Sequence, residues 1–105
     1  MEKIINTNTF FEIIFEKIFN ALIKCVEEIG YVDGVNYEIG NGYSVSISTK
    51  GRLMKWEFIL FKDNKKVRTY PMEHYFYWYE AKGGNMLKQI SNDIIEYIEY
   101  AENNN

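Results

Sequence analysis

The hydrophobic period of this chain changes twice, and that change constrains the fold more than any single residue does. Phe11, Phe15, Ile18, Leu22, Val26 and Ile29 recur at spacings of three and four. Glu12, Glu16, Lys17, Asn20, Lys24 and Glu27 fall mostly on the opposite side of the wheel. The pattern is that of an amphipathic helix packed on a core. Thr9-Phe10-Phe11-Glu12 reads as a capping box with Thr9 at the N-cap, and Gly30 is the expected left-handed residue at the far end.

From about residue 35 the period becomes two. Val35–Ile39 and Tyr43–Thr49 flank Gly40-Asn41-Gly42, a short-hairpin signal because Asn-Gly tolerates positive φ. Tyr43, Val45 and Ile47 alternate with Ser44, Ser46 and Ser48, giving one apolar and one polar face. Lys50-Gly51-Arg52 turns the chain into Leu53–Phe61, where Trp56, Phe58 and Leu60 oppose Lys55 and Glu57. Asp63-Asn64-Lys65-Lys66 turns it again into Val67–Tyr70, with Val67 and Thr69 expected inward. The helical period returns after Asn85, an N-cap candidate. Leu87, Ile90, Ile94, Tyr97, Ile98 and Ala101 form its stripe, and Lys88, Asn92, Asp93, Glu96, Glu99 and Glu102 its wet side.

The order is helix, a four- or five-stranded antiparallel meander, helix. The fold class expected is α+β, a two-layer sandwich with both helices on one face of the sheet. The 105 residues form a single domain, 1–105, with 1–8 and 103–105 expected as frayed termini. A chain of this length buries roughly 60–70% of its unfolded surface, enough for one core.

His74 is followed by five aromatics in a row, Tyr75-Phe76-Tyr77-Trp78-Tyr79. Read as a strand, the run places His74, Phe76 and Trp78 on one face and Tyr75, Tyr77 and Tyr79 on the other. A phenol keeps its hydroxyl hydrated at a surface, so the tyrosines are expected outward, on the free side of the sheet. The inward set before Pro71 and the set after it (Met72, Phe76, Trp78) have opposite parity. A register shift at Tyr70-Pro71 is therefore expected, as a bulge, an edge or a turn.

Composition narrows the function classes. Cys25 is the only cysteine, so no intramolecular disulfide forms and a reducing, cytoplasmic setting is expected. The N-terminus has no basic region followed by a long apolar run, and nothing approaches the roughly 20 apolar residues of a membrane span. One histidine and one cysteine do not make a typical zinc site, so no metal and no cofactor are expected. Cys25 sits on the apolar side of its helix and follows no nucleophile motif, and His74 has no evident orienting partner. No catalytic residues are named and no enzyme activity is expected. Lys82-Gly83-Gly84-Asn85 matches neither the dinucleotide fingerprint nor the P-loop and reads as a strand-to-helix connection.

The net charge of −3 is uneven. Residues 1–38 hold three Lys/Arg against seven Asp/Glu, residues 39–82 eight against four, and residues 83–105 one against four. The centre is basic and both ends are acidic, a distribution that bears on partners. Basic residues among aromatics are what single-strand-binding sheets use, which gives one reading as a nucleic-acid or nucleotide binder. The element order is loosely similar to that of a double-stranded-RNA-binding domain, but the basic cluster expected at the start of the last helix is reduced here to Lys88. The reading favoured is a protein-binding module, because Tyr, Trp and Arg are the usual anchors of interfaces. Its expected site is Tyr75, Tyr77 and Tyr79, with Lys55, Arg52 and Arg68 as rim charges, and a homodimer is the competing use of the same face. In size and style the chain is similar to small acidic inhibitors of phages and mobile elements, anti-CRISPR and toxin-immunity proteins among them. The partner expected is another protein, such as a nucleic-acid-processing complex.

Overall fold

The computed structural model describes residues 7–28, 35–50, 52–75 and 85–103. Two helices flank a four-stranded sheet: α1 (Thr7–Glu27), β1 (Tyr37–Gly40), β2 (Tyr43–Lys50), β3 (Arg52–Lys62), β4 (Lys65–Pro71) and α2 (Met86–Asn103). The strands lie in the order β1-β2-β3-β4, each antiparallel to its neighbour, so the α+β meander anticipated from the periodicity is the observed architecture. α1 begins at Thr7, two residues before the expected cap, and α2 runs to Asn103, so regular structure takes in residues 7, 8 and 103 of the expected frayed ends. Gly30 lies outside the described residues.

Local chemistry explains the boundaries. The Asn85 side-chain oxygen accepts from the Lys88 backbone N–H at 3.1 Å, capping α2 as expected. Asn41 has φ 56° between Gly40 and Gly42 in the β1–β2 turn, and Asp63 and Asn64 have φ 52° and 68° in the β3–β4 turn. Two consecutive positive φ values make the tight turn whose twist matches the flanking strands. The two turns also meet, because the Asp63 N–H donates to the Gly42 carbonyl at 2.8 Å. Gly42 has φ 84°, a conformation that favours glycine, and a Cβ there would lie 2.5 Å from an Asp63 carboxylate oxygen, which would have to swing away.

Pairing fixes which side chains face the core. Val45 lies opposite Leu60 and Ile47 opposite Phe58, while Phe58 lies opposite Tyr70 and Leu60 opposite Arg68. Val45, Phe58, Leu60 and Tyr70 are buried in one cluster with Ile18, Leu22 and Cys25 of α1 and Ile90, Ile94 and Ile98 of α2. Fully burying an aliphatic or phenyl side chain contributes roughly 1.5–3 kcal/mol, so this cluster dominates the stability.

β4 departs from the expected parity. Its register shifts between Leu60 and Phe61, which lie opposite Arg68 and Lys66, so Val67 is the extra residue of a bulge. The shift expected at Pro71 therefore occurs before Arg68. Beyond it Tyr70 is buried at 4% exposure, Thr69 is half-buried and Val67 is 37% exposed, the reverse of the inward set expected. Pro71 is the last residue of β4, an edge strand, where its missing N–H costs no central ladder bond.

The first aromatic of the run, Tyr75, is not in a strand. Residues 72–75 are helical, so Tyr75 does not stand on the outer sheet face and His74 does not start a strand. Met72 is buried, as expected, and His74 is exposed rather than partly buried. Phe76, Tyr77, Trp78 and Tyr79 lie outside the described residues.

Candidate functional site

The chain turns from strand to helix at Pro71, and that turn helps build an open cleft. Arg68, Thr69, Tyr70 and Pro71 of β4 form one wall, His74 and Tyr75 the end, and Asp93, Glu96, Tyr97 and Tyr100 of α2 the other wall. The cleft encloses about 760 Å³, within the range of ligand and peptide-side-chain sites. The α2 residues recur at intervals of three, four and seven, so they form one stripe along the helix beside its core stripe.

The hydrogen bonds define its floor. The Tyr75 hydroxyl donates to Asp93 Oδ2 at 2.6 Å, and Gln89 Nε2 donates to Asp93 Oδ1 at 3.1 Å. Burial and the bond to the Asp93 carboxylate raise the Tyr75 pKa well above the usual phenol value, so the hydroxyl stays protonated and donates. This bond fastens the 72–75 turn to α2 and sets the width of the cleft. Replacing Tyr75 by alanine therefore removes a packed, bonded side chain, not a free rung of a surface ladder.

Arg68 is exposed, and its guanidinium carbon lies 5.5 Å from the Tyr97 ring centroid and 5.9 Å from that of Tyr70. Both distances are within cation–π range. No carboxylate pairs with Arg68 among the described residues, so its donors stay open at the rim. The Tyr70 hydroxyl is buried and has no hydrogen-bond partner among the described residues. Burial also raises the Tyr70 pKa, with Arg68 opposing the rise and Asp93 adding to it. An orphaned buried hydroxyl costs roughly 1–3 kcal/mol, and such a group calls for an explanation.

Of the six residues expected at the site, the structure brings Tyr75 and Arg68 into this one cleft. Lys55 and Arg52 belong to β3, their side chains outside the described set, and Tyr77 and Tyr79 are outside it altogether. Tyr70, Asp93, Glu96, Tyr97 and Tyr100 are cleft residues that sequence reasoning missed. The α2 stripe, two acids and two tyrosines at i, i+3, i+4 and i+7, was the available signal.

The chemistry elsewhere is quieter. Cys25 is 2% exposed within the core, and burial pushes its thiol up to about 12, so it is a packed apolar group rather than a thiolate nucleophile. No group of three or more His, Cys, Asp or Glu side chains that could hold a metal occurs among the described residues. No described helix is long and apolar enough to cross a membrane. At the C-terminal end of α2 the Tyr43 hydroxyl donates to Glu102 at 2.8 Å, and the Lys62 ammonium lies 4.4 Å from the Tyr43 ring centroid, an arrangement that ties the helix end to the first hairpin. No family model matches the chain, and neither does any curated protein or solved structure.

Proposed function

We propose that the protein is a non-enzymatic binding module, an inhibitor or adaptor that docks another protein through the cleft between β4 and α2. The observation that carries this reading is the convergence of Tyr70, Tyr75, Tyr97 and Tyr100 on one open concavity with Arg68, which has no carboxylate partner among the described residues. Tyrosine is among the residues that concentrate binding energy at interfaces, where rigid rings desolvate at low entropic cost. Half-buried Tyr75 and Tyr97 are held by the fold, so they present a formed surface without an ordering step. β4 is poorly suited to the other common mode, addition of a partner strand. Lys65, Lys66, the bulge at Val67 and the terminal Pro71 each blunt an edge against pairing. The partner is therefore engaged by side chains in the cleft rather than through the strand edge.

The test is a comparison of captured proteins from the native host, using the wild-type chain and a Tyr97→Ala/Tyr100→Ala variant as baits. A protein held by the first and lost from the second, then shown to bind as a purified component, supports the reading. Identical captures from two folded baits overturn it. Binding to single-stranded oligonucleotides that falls steeply with salt would favour the nucleic-acid alternative instead.

A further inference from the structure

We infer that the cleft is a receptor for a basic side chain, the ammonium or guanidinium group of a lysine or arginine on the partner. This rests on the reading of the cleft as the docking site and names the chemistry that fills it. The first observation is that the protein already seats a guanidinium there: Arg68 lies across the rings of Tyr97 and Tyr70 without a carboxylate partner among the described residues. The wall itself therefore accepts a cation over its aromatic faces. The second is the Tyr70 hydroxyl, buried and unpartnered among the described residues, on a ring whose centroid lies 5.9 Å from that guanidinium; its oxygen has lone pairs that an N–H donor would satisfy. The third is the placement of Asp93 and Glu96 on the facing helix. Asp93 accepts one bond on each carboxylate oxygen, from Tyr75 and from Gln89, and each oxygen keeps a further lone pair.

An incoming cation thus meets a phenol oxygen, two carboxylates and two ring faces, and it meets one opponent. Arg68 occupies the ring faces in the free protein and must swing aside for the guest. It acts as an internal substitute whose departure uncovers Tyr70. An anionic guest would make the opposite demand, with Arg68 as its anchor and Asp93 and Glu96 as repulsive neighbours. The role of Arg68 separates the two cases.

The experiment titrates the 15N-labelled protein with Ac-Ala-Lys-Ala-amide, Ac-Ala-Arg-Ala-amide and Ac-Ala-Glu-Ala-amide at matched ionic strength, following the amide resonances of the cleft. The basic peptides are expected to shift Tyr70, Asp93, Glu96 and Tyr97 and to bind about fivefold or more tightly than the acidic one, the ratio for one cation–π contact. Glu96→Gln and the near-isosteric Asp93→Asn should each weaken the basic peptides, and Arg68→Ala should strengthen them by about the same factor. Preference for the glutamate peptide, or loss of lysine binding in Arg68→Ala, overturns the inference while leaving the cleft as a docking site. If no peptide moves the cleft resonances, the inference fails. The reading of the cleft then stands or falls separately on whether the Tyr97→Ala/Tyr100→Ala bait loses its captured protein.

Discussion

Replacing Tyr75 by phenylalanine removes one oxygen and leaves the ring that packs against the core. The oxygen donates at 2.6 Å to a carboxylate whose other side-chain donor among the described residues is Gln89. A hydrogen bond to a charged group contributes roughly 1.5–3 kcal/mol when desolvated. Both partners here are half-buried, and water can reach the freed Asp93 oxygen through the cleft, so the loss should fall to about 1–1.5 kcal/mol. For a domain of this size that lowers the melting temperature by roughly 4–8 °C. Urea unfolding at pH 7 measures the difference, and a cycle with Asp93→Asn separates the coupling from each residue's own effect. The asparagine amide in that variant keeps an oxygen that accepts, so the cycle reads the charge-assisted part of the bond, about 1 kcal/mol. A Tyr75→Phe variant as stable as the parent, with zero coupling to Asp93, would refute the claim that this bond holds the 72–75 turn against α2.

Three further outcomes are expected. Burial raises the Cys25 pKa from 9.0 in an open chain to about 12, so the unfolded chain releases the thiol proton first and stability falls as pH rises from 9 toward 12. At pH 10 this loss is on the order of 1 kcal/mol, and urea unfolding of Cys25→Ala at pH 8 and pH 10 should show it missing. Buried Tyr43 and Tyr70 and half-buried Tyr75 add losses of the same sign above pH 10, where phenols of the unfolded chain ionise. Gly42→Ala forces a Cβ against the Asp63 carboxylate at positive φ, so it should cost more than about 1 kcal/mol by thermal melting, with a neutral result excluding the close approach of the two turns. Glu102→Gln should weaken the tie to Tyr43 by about 0.5–1 kcal/mol, and hydrogen exchange should rise first in the last turn of α2.

Much of the fold was readable in the residues because each element repeats its period several times. The Tyr43, Val45, Ile47 alternation and the Ile90, Ile94, Ile98 stripe each fix a core face by repetition, although Ser44 and Ser46, expected on a free polar face, are themselves buried. What defeated the reading was a single inserted position. Val67 carries nothing in its identity that marks a bulge, yet it inverts the strand beyond it and sends Tyr70 to the core side. The start of the aromatic run, His74 and Tyr75, misled for a related reason. Ring content favours a strand, but Pro71 has already ended β4, and the chain past it turns helical with Met72 buried. The cleft was half visible: Tyr75 and Arg68 were singled out, whereas Asp93 and Glu96 read as ordinary solvated acids. Their role depends on which strand faces them, and that is a property of tertiary packing.

The tie between Tyr43 and Glu102 joins positions 59 apart, whereas the β3–β4 hairpin closes across two turn residues. Closing the larger loop costs more chain entropy, and that cost is recovered only once both ends are in place. On that ground the β3–β4 hairpin is expected to close before the C-terminal helix docks, an order that φ-values measured in the two elements would test. α2 supplies one wall of the cleft, so any opening that releases it dismantles the cleft even where the hairpins persist. Binding at the cleft would thus oppose that opening, leaving occupancy legible in how long the protein survives a protease.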